Sequence, residues 1–140
     1  MERRLEQLVW SRAEGVCEYC RIPHRFDDLP FEIDHIIATT HGGKTSSGNL
    51  ALSCFPCNRF KGPNLTGLDP RTGQLAKLFH PRRHAWQRHF IWDGPRLVGL
   101  TAIGRTTIRV LHINEFLRVQ LRVELMKETV WRFEPQQSRS

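Results

Sequence analysis

No stretch of the chain approaches the roughly 20 consecutive apolar residues that a membrane span needs. Its opening residues, MERRLEQLVW, are charged where a secretory signal would carry an unbroken apolar core. Both absences predict a soluble, cytoplasmic protein with no membrane partner. Acidic residues are scarce in the second half. Residues 71–140 hold thirteen Lys/Arg against five Asp/Glu, whereas residues 1–30 hold five against six and residues 31–70 three against three. The result is a net charge of +7 and a pI near 9.9. Such an excess points to a polyanionic partner, because neutralising phosphates releases condensed counterions. The plainer alternative is a merely basic, soluble protein. Cysteine is scarce too, with four in the chain, so where those four fall is informative.

At 140 residues and 39% hydrophobic content, the chain suffices for one core and is short for two, so a single domain over 1–140 is expected. Leu5, Leu8, Val9 and Val16 recur at helical spacing up to a stop at Gly15, which predicts an amphipathic helix. CEYCRIPHRFDDLP reads as a knuckle and a loop, FEIDHII as a short strand, ATTHGGKTSSG as a loop and LALSC as a second strand. Pro56 suits the first turn of a helix that Gly62-Pro63 ends. Further on, GPNLTGLDPRTGQ reads as turns, and HFIWDGPRLVGL as a hairpin turning at Asp93-Gly94. Thr106 and Thr107 are expected to cap a short helix, and Asn114 to cap a longer one. In that longer helix Phe116, Val119, Val123, Met126 and Val130 would face the core rather than a coiled-coil partner, which predicts a monomer rather than a homodimer. The terminal QQSRS reads as disordered, and no internal repeat is visible.

The cysteines form two pairs, Cys17-x-x-Cys20 and Cys54-x-x-Cys57, separated by 33 residues. Two such knuckles complete the tetrahedron of sulfur ligands that Zn²⁺ prefers. Two disulfides would suit an oxidising compartment, and a redox Cys-x-x-Cys needs no second matching pair, so structural zinc is the favoured reading. A closed four-sulfur site leaves no position for substrate. It ties the end of the first helix to the start of the helix that carries Asn58 and Lys61.

The stretch DHIIATTHGGKTSSGNLALSCFPCNRFKG, preceded by CEYC, resembles the HNH endonucleases, whose ββα-metal fold has the same strand, loop, strand, helix order. The segments LDPRTGQLAKLFHPRRHAWQRHF and GLTAIGRTTIRVLHIN resemble the downstream part of one bacterial branch of that family. The resemblance implies an α+β fold: a ββα-metal core over about 17–62, flanking helices at both ends, and a basic extension over about 63–134 that contains a hairpin. It also implies metal-dependent hydrolysis of DNA to a 5′ phosphate and a 3′ hydroxyl.

Phosphodiester hydrolysis requires an activated water, a Lewis acid and fixed geometry. Because imidazole exchanges protons near neutrality, His35 is the expected general base. Asp34 and the amide oxygen of Asn58 offer hard oxygen ligands suited to Mg²⁺ or Mn²⁺. By the resemblance, Asn49 orients the loop and thereby His35; Asn58 stands where the family name would put a histidine, a departure that also occurs within the family. Ideal strand alternation sets Asp34 and His35 on opposite faces, so both reach one phosphate only where the strand ends or twists. Glu32 shares the Asp34 face as a carboxylate behind the ligands. His41 could contact phosphate or metal, or stabilise its loop. Lys44, Arg59 and Lys61 surround the expected site, while Arg82, Arg83, Arg88 and Arg105 are expected to grip backbone further out. His24, His80, His84, His89 and His112 are expected to be structural or surface residues. Without a long reading helix, low sequence preference is expected. The rival class is a non-catalytic zinc module that binds nucleic acid as an adaptor; a secreted toxin nuclease is less favoured, since no translocation segment is visible.

Overall fold

The computed structural model describes residues 1–128 and residue 131. The expected Val130 contact and the terminal QQSRS lie outside the described residues. The chain divides into two compact units, one made of Met1–Leu65 with His80–His84, the other of Thr66–Phe79 with the chain from Ala85 onward. Three two-stranded antiparallel sheets occur among the described residues, giving a mixed α+β architecture. No helix among them is long and apolar enough to cross a membrane.

The first unit opens with α1 (Arg3–Ala13), which ends where Glu14 and Gly15 adopt φ of 54° and 70° in succession. Val9 is buried, but Leu8 faces out, and the half-buried Arg12 sends Nη2 to the Leu50 carbonyl at 2.6 Å. The knuckle at 17–20 closes through Cys17 N–H to Ile22 O and Arg21 N–H to Cys17 O, both at 2.9 Å. β1 (Glu32–His35) pairs with β2 (Leu50–Ser53) in the register Glu32↔Ser53 to His35↔Leu50. The other edge of β2 is taken by the knuckle: Glu18 N–H donates to Leu52 O at 2.9 Å, and Leu52 N–H to the Glu18 carboxylate at 2.8 Å. Flanked on both edges, β2 is buried along its whole length, which explains its continuous apolar run. α2 (Phe55–Lys61) follows directly, with Pro56 in its first turn and Gly62 at its end. The expected order of strand, loop, strand and helix is present.

The second unit begins with a hairpin that the turn-rich reading of GPNLTGLDPRTGQ missed. β3 (Thr66–Leu68) pairs with β4 (Leu75–Lys77), and the turn between them is organised by the buried Asp69. Its carboxylate accepts from Arg71 N–H at 3.0 Å, the Thr72 hydroxyl at 3.3 Å and the fork of Arg105 at 3.0 and 2.8 Å. After α3 (Trp86–His89), β5 (Phe90–Asp93) and β6 (Arg96–Gly99) form the expected hairpin. Because Asp93 pairs with Arg96, the two turn residues are Gly94 and Pro95 rather than Asp93 and Gly94. Gly94 supplies φ of 56°, and Pro95 stands where no ladder N–H is required.

Two expected caps are corrected. α4 (Ala102–Val110) is capped by Thr101, whose hydroxyl accepts from Gly104 N–H at 3.1 Å; Thr106 and Thr107 lie buried inside that helix, where the Thr107 hydroxyl accepts from Phe79 N–H at 2.8 Å. α5 (Phe116–Lys127) is capped by Glu115. Asn114 instead clamps β6, its amide exchanging two hydrogen bonds with the Leu97 backbone at 2.9 and 2.7 Å. The face of α5 also differs from expectation. Phe116 is 72% exposed and Met126 is exposed, while Arg122, 3% exposed, turns inward with Leu125. The Arg122 guanidinium reaches Pro95 O at 2.6 Å and Ile113 O at 2.9 Å and lies over the Trp92 ring. Backbone carbonyls that take no other donor among the described residues draw a cation where apolar periodicity would place a hydrophobe.

Candidate active site and metal centre

The four cysteines converge although two pairs come from distant positions. Cys17 and Cys20 sit on the knuckle that pairs with β2, and Cys54 and Cys57 on the start of α2 that leaves the same strand. All four Sγ atoms lie within 4.8 Å of one another, and every cysteine is buried. The Cys20 and Cys54 sulfurs are 3.7 Å apart. With Zn–S bonds of about 2.3 Å, the edge of a regular ZnS₄ tetrahedron is about 3.8 Å, which this edge matches, and the four sulfurs together could hold a zinc ion. Hydrogen bonding from the neighbouring thiols and then burial push Cys54 up, while burial foremost pushes Cys57 up. Four sulfurs this close cannot ionise together unless a cation offsets their charge.

Asp34 and His35 are the last two residues of β1. Asp34 is 5% exposed and His35 half-buried, and the two side chains take separate partners, Tyr19 and Lys61 for Asp34 and Thr45 for His35. The Asp34 carboxylate has two protein donors: the Tyr19 hydroxyl at 2.6 Å, and the ammonium of Lys61 at 3.0 Å from Oδ2 and 3.3 Å from Oδ1. Lys61, 1% exposed, also donates to the carbonyls of His35 at 3.2 Å and Ile36 at 2.9 Å. One ammonium thus binds α2 to the end of β1. Burial pushes the Asp34 carboxyl above its ordinary range, and the Lys61 charge, with the Tyr19 hydroxyl, pulls it back. Tyr19 is raised well above an ordinary phenol by burial and by the adjacent Asp34.

Asn58 is half-buried on α2, and its Nδ2 donates to the exposed Glu32 carboxylate at 2.6 Å. Among the described residues no hydrogen bond to its amide oxygen occurs. Glu32 therefore stands beside Asn58 rather than beside the Tyr19 and Lys61 pair. Asn58 Oδ1, the Glu32 carboxylate and Asp34 Oδ1, the last holding only the longer Lys61 contact, are hard oxygen atoms, while the one group of His, Cys, Asp and Glu ligand atoms close enough together to hold an ion among the described residues is the four cysteines.

The loop between the strands hangs on Asn49. Its side chain accepts from Ile37 N–H at 2.9 Å and donates to Ile37 O at 3.0 Å and Lys44 O at 2.9 Å, while its backbone carbonyl accepts from Ile36 N–H at 2.8 Å. Gly43 is required there: a Cβ would stand 1.7 Å from Ile37 O and 2.9 Å from the Asn49 amide nitrogen. His35 Nε2 lies 2.8 Å from the Thr45 hydroxyl. His41 is exposed, with its backbone N–H on Ala38 O.

The cations expected to contact nucleic acid separate into two groups. Lys44, Arg59 and Arg83 are exposed, as is Arg88 in the second unit. Lys61 is buried on Asp34, Arg82 is ion-paired to Glu18, and Arg105 is ion-paired to Asp69. Tyr19, Glu18 and Thr45 were not singled out from sequence. Tyr19 was nonetheless visible as the chain's single tyrosine, set between two cysteines.

Residues 17–64 match the family model described as HNH endonuclease, a segment that contains both cysteine pairs, both strands of the first sheet and α2. No curated protein and no solved structure matches the chain.

Proposed function

We propose, on the premise that residues 17–64 form an HNH endonuclease domain, that the protein is a metal-dependent endonuclease that hydrolyses DNA phosphodiester bonds. The observation that carries this reading is the placement of His35 at the end of β1, between a loop held by Asn49 and a helix that presents Asn58 from a four-cysteine anchor.

Cys17, Cys20, Cys54 and Cys57 would hold a structural zinc ion. Asp34 and Asn58, with Glu32 alongside, are the donors that would hold a Mg²⁺ or Mn²⁺ ion, which when bound supplies Lewis-acid stabilisation of charge on the phosphate. His35 takes the proton of the attacking water. The water oxygen bonds to phosphorus as the bond from phosphorus to O3′ breaks, and the departing O3′ takes a proton from solvent, which yields a 5′ phosphate and a 3′ hydroxyl. Lys61 acts from inside the protein by holding Asp34 as a carboxylate and α2 against β1. Lys44, Arg59 and Arg83 are the exposed cations of this unit that would contact the DNA backbone.

A plasmid-nicking assay with Mg²⁺ or Mn²⁺ tests the reading. His35→Ala should abolish cleavage and leave DNA affinity nearly intact; cleavage at the unaltered rate removes His35 as the base. A second reading, a nucleic-acid-binding module that does not cut, is favoured by the ammonium of Lys61 lying directly on Asp34. Tight DNA binding without nicking at any divalent-ion concentration would establish it.

A further inference from the structure

Acting as a base places a condition on His35. A neutral imidazole carries one N–H, and the nitrogen without it is the one that can take a proton. The structure places a single side-chain partner against Nε2, the Thr45 hydroxyl at 2.8 Å. A hydroxyl can accept from Nε2–H, which leaves Nδ1 bare, or donate to a bare Nε2, which leaves Nδ1 protonated and unable to deprotonate water.

Thr45 does not reach His35 by chance of a loose loop. The preceding carbonyl, that of Lys44, is held by the Asn49 amide at 2.9 Å, and that amide also grips Ile37 O at 3.0 Å. Earlier in the loop, Ala38 O accepts from His41 N–H at 2.9 Å and Gly43 N–H at 3.0 Å. The close approach of Gly43 to Ile37 O fixes the path between these two anchors. Position 45 is therefore set by backbone hydrogen bonds that begin at the end of β1, where His35 itself stands. Nothing in the cysteine anchor or in α2 contributes a contact to this nitrogen among the hydrogen bonds of the described residues.

We propose that Thr45 is a positioning residue for His35: its hydroxyl accepts the Nε2–H and so fixes the tautomer whose Nδ1 faces the reaction unprotonated. The inference rests on the proposed function both for the direction of this hydrogen bond and for its catalytic consequence, while the contact itself stands apart from that reading. Asn49 thereby acts on His35 through the Lys44 carbonyl and the residue that follows it.

The test uses the full zinc-loaded chain with Thr45→Val and Thr45→Ser. Thr45 is exposed and its hydroxyl makes one surface hydrogen bond, so both variants should melt with the parent. Thr45→Val should lower kcat for plasmid nicking by about tenfold to a hundredfold, taking the range known for partners of metal-bound imidazoles as the scale, with KM for DNA unchanged, and Thr45→Ser should restore it. Nitrogen-15 spectra of the imidazoles at alkaline pH, with His35 assigned by its loss in His35→Gln, should show the Nε2–H form in the parent and in Thr45→Ser, and a mixture of forms in Thr45→Val. An unchanged tautomer in Thr45→Val, or a parental kcat, overturns the proposal. If the parent never nicks DNA while its tautomer still depends on Thr45, the positioning stands and the nuclease reading falls.

Discussion

Lys61→Met removes the buried ammonium while keeping most of the side-chain volume. Three acceptors lose their donor at once: the Asp34 carboxylate at 3.0 Å, Ile36 O at 2.9 Å and His35 O at 3.2 Å. Asp34 keeps the Tyr19 hydroxyl, yet its charge is left buried without a counter-ion. Breaking a buried pair from one side costs about 3–5 kcal/mol, which corresponds to a fall of roughly 10 °C or more in the melting of a unit this size. The deficit should depend on pH with a definite sign. Burial already raises the folded-state carboxyl above its unfolded value, and the largest opposing influence is Lys61. In the variant the folded state therefore holds its proton to higher pH than the unfolded state does. From the parent's raised folded value up to the variant's still higher one, the deficit grows as pH rises; acidification shrinks it. The double variant Lys61→Met/Asp34→Asn removes the orphaned charge and should recover most of the loss at neutral pH. Urea titration of both variants at acid and neutral pH, with zinc present and other divalent ions absent, is the measurement. A Lys61→Met protein within about 0.5 kcal/mol of the parent, or a double variant no better than the single, would refute the reasoning.

Elemental analysis should find one zinc per chain, and Cys54→Ser should lose it and melt sharply lower; a metal-free chain with an unchanged melt contradicts the sulfur cluster as a zinc anchor. The Arg105 fork foremost, helped by the Arg71 N–H, holds the Asp69 carboxyl far below the usual carboxylate range. Its contribution is therefore complete above about pH 4 and is lost as pH falls through the depressed folded value. Asp69→Asn should flatten the acid-side loss of stability of the second unit, and an identical acid slope in parent and variant would oppose this. Gly43→Ala forces a Cβ into the Ile37 carbonyl, which must displace the loop. Weaker protection of the Ile37 amide in hydrogen exchange is expected, and parental protection would show that the loop tolerates the methyl.

What proved legible in the sequence was whatever a local rule governs. The paired cysteines announced a four-sulfur cluster because two knuckles are a complete ligand set wherever the chain brings them together. β1, β2 and α2 announced themselves through β-branched alternation, a continuous apolar run and Pro56 at a first turn. The β3–β4 hairpin was hidden, since its strands are three residues long and are joined by turn formers that read as loop on their own. Asn114 looked like a cap because caps are local. In the fold its amide serves Leu97, 17 residues back.

The sequence by itself determined the chemistry on offer: four sulfurs, an imidazole beside a carboxylate, an amide on a short helix and a basic excess. Only the tertiary structure decided which partner each group takes, pairing Lys61 and Tyr19 with Asp34, Glu32 with Asn58, Thr45 with His35, and Arg105 with Asp69. The reason is physical. Composition and periodicity report a residue's own preference for water or burial. The partner of a buried charge depends on which distant backbone arrives beside it, and in this chain strand register and loop closure decide that.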